Sequence, residues 1–183
     1  QIQAAVAFAV RHQVRLIIFG GYDAVSCSAL LKQHDVAVIV GSVYRLPRRQ
    51  DDDYDAPFTL PARLHQAGIP FCIASNGRFG ASNVRNLPYH AATAVAFGLP
   101  VEEAIKAITL SPARILGVAD QVGSLEVGRD ATLIVSSGNP LETTSHVELA
   151  FIQGRQVDLM NKHTRLWQKY RTKYQQQREA AGR

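Results

Sequence analysis

The 183 residues, 46% of them hydrophobic and 19% charged, have the make-up of a globular chain of one to one and a half domains, since domains most often hold about 100–150 residues. No run reaches the ~18 uninterrupted apolar residues of a membrane-spanning helix, which excludes a membrane partner from the reading. The net charge of +5 is concentrated at one end: from Lys162 onward seven Lys and Arg stand against Glu179 alone, so the tail carries +6 and the rest −1. The body is nearly neutral and the basicity belongs to the tail, which carries no groove-reading motif or aromatic platform for nucleic acid.

Gln1 to Val10 has neither an initiator Met nor a basic flank before its apolar residues, and reads as a helix entered midway rather than a signal peptide. Val14 to Phe19 is a short apolar run closed by Gly20 and Gly21, which predicts a buried strand and a turn. A helical pattern through Ala24, Ala29, Leu30 and Leu31 follows, then a second strand, Val36 to Val40. Arg45 to Pro57 is a polar loop holding Arg48, Arg49 and the run Asp51 to Asp53. That run lacks the alternating ligands and the Gly of a calcium loop, and reads as solvated. Leu60 to Ala67 predicts a helix with Gly68 at its stop, and Pro70 to Ala74 a third buried strand.

Three apolar strands separated by helices are the pattern of βα units in a parallel sheet, so the fold class is α/β. Pro88 to Phe97 and Pro100 to Thr109 predict two successive helices, the second with Glu102 and Glu103 in its first turn, where negative charge suits the helix dipole. From Gly117 the pattern changes to short strands, Val122 to Leu125, Ala131 to Val135 and Glu148 to Ile152, separated by Gly-containing turns. Thr164 to Arg183 predicts a polar helix with Leu166, Trp167, Tyr170 and Tyr174 near one face, expected to pack on the body or on a neighbouring subunit. Cys27 and Cys72, far apart and in apolar surroundings, read as buried thiols.

The string Ala104-Ile-Lys-Ala-Ile-Thr-Leu-Ser-Pro-Ala-Arg-Ile-Leu-Gly117, followed by Val122-Gly-Ser-Leu-Glu-Val-Gly-Arg-Asp-Ala-Thr-Leu-Ile-Val135 and Gly138-Asn-Pro-Leu141, resembles the C-terminal signature of imidazolonepropionase-like amidohydrolases. Thr132 stands at an Asp of that pattern, and Phe151 to Arg155 resembles the family's closing strand and turn. Gly123 and Gly128 are expected at positive φ. The resemblance implies that residues 1–116 are the C-terminal portion of a TIM-type (β/α)8 barrel, its sixth to eighth strands lying near Leu16, Val36 and Phe71. It further implies a small β-sandwich-type segment over residues 117–160 and a basic helical tail over 161–183. Five strands would then lie outside this chain, which reads as a fragment whose open sheet edges call for a homo-oligomer or for the missing N-terminal half of the barrel. The alternative is a smaller, complete α/β domain.

The resemblance also implies chemistry. Such hydrolases place a hydroxide on zinc or a similar divalent metal and deliver it to the carbonyl or imine carbon of a small-molecule substrate. Of the ligand positions that the family sets at its strand ends, a His after the sixth strand and an Asp after the eighth fall in this chain. Ile17 to Asp23 contains no His, and Asn76 occupies the expected Asp position. An Asn side chain has no basic function near neutral pH and cannot take a proton from an attacking water. No residue is therefore assigned as a metal ligand or catalytic group. The candidates for substrate binding are Tyr22, Arg45, Asn76, Arg78 and His90, all near the strand ends where barrel enzymes build their sites. Bland roles stand beside them: Asp23 as the cap of the next helix, Arg78 as the partner of a loop carboxylate, and His90 as a hydrogen-bonded packing residue. Two functional classes follow: a hydrolase of C–N bonds in cyclic or linear amides, or a non-catalytic homologue that binds a ligand or complements a partner chain.

Overall fold

The computed structural model describes residues 1–75 and 80–182. It opens on helix α1 (Ile2–His12), whose Val6 and Ala9 are buried, and passes through strand β1 (Ile17–Phe19), a 3-10 turn at Val25–Cys27 and helix α2 (Ser28–Gln33). Strand β2 (Ala37–Val40), helix α3 (Ala56–Gln66) and strand β3 (Phe71–Ile73) complete two βα repeats. The three strands form one parallel sheet in the order β1-β2-β3, with Ile17 opposite Ala37 and Val38 opposite Phe71. The expected strands are thus present, each shorter than its apolar run, but β1 is not the buried strand expected: Ile17 and Ile18 are half-buried and Phe19 is exposed, because β1 is an edge strand of the sheet. Helix α3 begins earlier than expected, at Ala56, because Pro57 sits in its first turn, where a missing N–H costs nothing.

The two faces of the sheet are used differently. Val38, Val40, Phe71 and Ile73 join Leu31, Leu60, Leu64, Leu99 and several alanines in the main core. Successive strand residues point to opposite faces, so Ala37 and Cys72 turn the other way, against Ile115 and the partly buried Ile17 and Ile39. That second face is incompletely covered, and Phe19 beside it is 60% exposed.

The chain continues through helices α4 (Gly80–Asn83), α5 (Leu87–Ala96), α6 (Val101–Ala107) and α7 (Leu110–Leu116). The second expected helix is found as α6, close to its expected bounds, and α7 is an additional helix beyond them, separated from α6 by Thr109 at φ −130° and ψ −86° and started by Pro112 in its first turn. The Arg15 guanidinium donates to the Ile115 carbonyl at 2.7 Å, joining the approach to β1 to the end of α7.

Beyond it, strands β4 (Leu133–Ser136), β5 (Val147–Ile152) and β6 (Arg155–Gln156) form an antiparallel sheet in that order. The strand expected at Val122–Leu125 is absent: these residues form bends and irregular chain, and the sheet is a single layer of three strands. Gly123 and Gly128 lie at φ +102° and +92°, as expected. At Gly123 the backbone passes so close to α7 that an added Cβ would stand 2.8 Å from the Ala113 Cβ. Helix α8 (Lys162–Ala181) starts with a capping box, Asn161 accepting the amide of Thr164 while the Thr164 hydroxyl accepts the amide of Asn161. None of its residues is buried, and Trp167 is 59% exposed, so the expected packing of this face on the body is not found. Arg171 instead lies over the Trp167 ring. Cys72 is buried, with its thiol pushed up to about 11 by desolvation, whereas Cys27 is only half-buried, contrary to expectation. No helix among the described residues is long and apolar enough to cross a membrane.

Candidate functional site at the C-terminal ends of the parallel strands

In a parallel sheet all strand C-termini lie at one end, so the loops after β1 and β2 meet there. Gly20 and Gly21 end β1 in left-handed conformations. At Gly21, φ +59°, an added Cβ would overlap the Val38 side chain, so the turn lies flush on β2 and carries Tyr22 and Asp23 sideways toward the next loop. From that loop the Arg45 guanidinium carbon stands 4.1 Å from the Tyr22 ring centroid, and that of Arg48 stands 5.1 Å from it.

Asp23 does not cap a helix. Its two oxygens accept from Nη1 and Nη2 of Arg49, each at 2.9 Å, and the first helical elements beyond it have no side-chain cap. The hydrogen bond from Arg49 holds the Asp23 carboxyl below the usual carboxylate range, and Asp23 in turn raises Arg49. The acidic run is not simply solvated either. Asp52 accepts the backbone amides of Arg48 and Arg49 through one oxygen, at 3.1 and 2.9 Å, which fixes the bend that presents both arginines.

The same loop is anchored from below. Nδ1 of His90 accepts the Val43 amide at 3.3 Å, the His90 ring lies 4.4 Å from that of Tyr44, and the Tyr44 hydroxyl donates to the Tyr89 carbonyl at 2.8 Å, with the Thr93 hydroxyl 2.9 Å away. His90 is 3% exposed, and burial lowers its pKa. A ring nitrogen that accepts an amide N–H belongs to a neutral imidazole, so His90 supports the loop and holds Tyr44 and Arg45 in place.

Of the sequence candidates, the fold brings Tyr22 and Arg45 into contact and sets His90 behind them. Asn76 and Arg78 lie outside the described residues. Arg48, Arg49 and Arg63 join the site without having been singled out as candidates. Two hollows open here: a groove of about 850 Å³ between α1 and β1, and a cleft of about 230 Å³ between the β1–α2 and β2–α3 loops. Among the described residues no group of three or more His, Cys, Asp and Glu side chains converges as a metal site needs. Asp23, the carboxylate nearest the end of β1, is already taken by Arg49. These residues therefore do not fit a metal centre.

Residues 30–162 match the model of the amidohydrolase family. An imidazolonepropionase of Micrococcus luteus is 38% identical over 100 residues, which is 54% of this chain and 24% of that protein. One of Brucella suis is 31% identical over 115 residues, 62% of this chain and 27% of that protein. The chain thus spans about a quarter of the length of these curated relatives. The crystal structure of an amidohydrolase from Thermotoga maritima MSB8 superposes with a TM-score of 0.74 at 30% identity, over 86% of this chain and 40% of that one. The signature between Ala104 and Arg155, the α/β fold and the family match agree: the chain belongs to the amidohydrolase family.

Proposed function

We propose that the chain forms the C-terminal part of an amidohydrolase barrel and lines the substrate end of a hydrolase acting on C–N bonds of small cyclic or linear amides. The observation that carries this reading is the meeting of Tyr22 and Arg45, 4.1 Å apart, beyond the C-terminal ends of adjacent parallel strands, where barrel enzymes build their sites. The half-covered face of Ile17, Ala37, Ile39 and Cys72 supports it, because a barrel uses such a face for its interior.

In this reading the chain binds and orients. Tyr22 offers an aromatic surface, Arg45 a fixed positive charge, and Asn76 an amide that hydrogen-bonds a substrate carbonyl without titrating. The family is in general metal-dependent, and the metal, when bound, supplies a hydroxide nucleophile. The described residues do not form its site.

A second reading, a non-catalytic homologue that binds a ligand or complements a partner chain, is favoured by Asn76 at the expected Asp position and by the absence of His from Ile17 to Asp23. The polypeptide as its gene encodes it, assayed for bound metal and for hydrolysis of a panel of lactams and linear amides, separates the two. Turnover with about one equivalent of metal supports the hydrolase. Ligand binding with neither metal nor turnover supports the homologue.

A further inference from the structure

The cleft of about 230 Å³ between the β1–α2 and β2–α3 loops takes four arginines into its wall, Arg45, Arg48, Arg49 and Arg63, against two acids, Asp23 and Asp52. The acids are already engaged. Asp23 holds Arg49 through both oxygens, and one oxygen of Asp52 is occupied by two backbone amides while the other faces Arg49 at 3.8 Å. Arg49 is thereby neutralised.

Arg45, Arg48 and Arg63 have no carboxylate within ion-pairing distance among the described residues. Arg45 and Arg48 are nevertheless drawn together over one ring, that of Tyr22, and the latter's charge also reaches Asp23. Stacking on an aromatic face offsets part of the repulsion between two such cations; Arg45 spends its Nε–H on the Leu46 carbonyl at 3.4 Å, which leaves most of the five donors that each planar guanidinium carries for a ligand. Arg63 joins the lining from α3, in line with Ala56 and Leu60 at helical spacing. The wall therefore carries two positive charges beyond those its own acids balance, in a cleft of about 230 Å³.

We propose that this cleft is a binding site for a doubly charged oxyanion, a phosphate monoester or a dicarboxylate, held by Arg45, Arg48 and Arg63 beside the Tyr22 ring. Planar guanidinium forks suit both anions, since each presents pairs of oxygens at matching spacing. The inference deepens the proposed function by naming what the mouth of the site recognises, and it rests on that reading only for the identity of the molecule bearing the anion.

The test is calorimetric titration of the full chain with inorganic phosphate, succinate and acetate at matched low ionic strength. Phosphate or succinate should bind about tenfold or more tightly than acetate. Arg48→Gln and Arg63→Gln, both at exposed positions, should each weaken that binding about tenfold, whereas Lys169→Met in the basic tail should leave it unchanged. Tighter binding of phosphate assigns the site to a phosphoryl group, and tighter binding of succinate to a dicarboxylate. Circular dichroism of each variant separates loss of the site from loss of the fold, and a variant that unfolds is replaced by Arg48→Lys, which keeps the charge, loses the fork and should bind several-fold more weakly. Binding no tighter than acetate, or a loss equally large in Lys169→Met, would overturn the proposal. Hydrolysis is not read in this experiment, so its failure and that of the proposed function are distinguishable.

Discussion

Asp23 and Arg49 meet in a two-point ion pair, both contacts at 2.9 Å, that joins the loop after β1 to the loop after β2. Both side chains are more than half exposed, so screening by water and salt keeps the pair's effect on stability small. The Asp23 carboxyl is held below its ordinary value of 3.8. Its contribution is therefore fully present above that value and is lost as pH falls through the lower folded one. Asp23→Asn should shift the urea midpoint only slightly at neutral pH, and less still in high salt. The same change releases Arg49 and removes a negative charge from the cleft, so succinate or phosphate should bind more tightly to Asp23→Asn than to the parent chain. Weaker binding would mean that the pair positions the loop more than it neutralises it.

His90 sets a second pH dependence, of known sign. Burial holds it neutral below its ordinary value of 6.5, so the unfolded chain binds the proton more readily. Stability from this group is complete above about 6.5 and falls as acid protonates the imidazole and breaks the bond from Val43. Replacing His90 by Ala leaves a buried amide unpaired and should cost about 1–3 kcal/mol. Urea unfolding between pH 8 and pH 5 should show a decline in the parent chain that is smaller in the variant. Identical pH profiles would remove His90 from this role.

Gly21 allows no side chain. Any Cβ there meets Val38, which is fully buried in the core, and φ is already left-handed. Gly21→Ala should destabilise by about 1–3 kcal/mol in chemical denaturation. Gly128, also at positive φ but with open space around it, should cost less when changed to Ala.

Helix α8 buries none of its residues. Removing residues 162–183 should leave the unfolding of the body within about 0.5 kcal/mol of the parent, as for other surface changes. If sedimentation shows that the truncation alters the oligomeric state, the Leu166, Trp167 and Tyr170 face packs on a neighbouring copy.

The βα repeats were legible in the sequence because each strand is an uninterrupted apolar run bounded by Gly or Pro, and the family was legible because the motif from Ala104 to Arg155 is long and ordered. The strand expected at Val122–Leu125 misled because apolar residues set around Gly123 and Gly128 serve a turn path as well as a strand. Helix α7 was missed although Pro112 marks its first turn, because seven residues are too few to show a helical apolar period. At the site, Tyr22 and Arg45 could be named from their places after strands. The pairing of Asp23 with Arg49, 26 residues apart, could not, since it depends on how two loops fold back on each other. The acidic run looked solvated because nothing in its spacing announces that Asp52 receives two backbone amides.

The measurement that bears most directly on the proposed site is the steady-state hydrolysis of cyclic and linear amides by the polypeptide as its gene encodes it, compared with its Arg45→Ala variant. If the loops after β1 and β2 bind and orient the substrate, the parent turns over at least one member of the panel, and the variant raises KM about tenfold or more while kcat changes far less. A parent that turns substrate over with the same KM in the variant, or one that is folded, metal-loaded and inactive on every amide tested, would contradict that account.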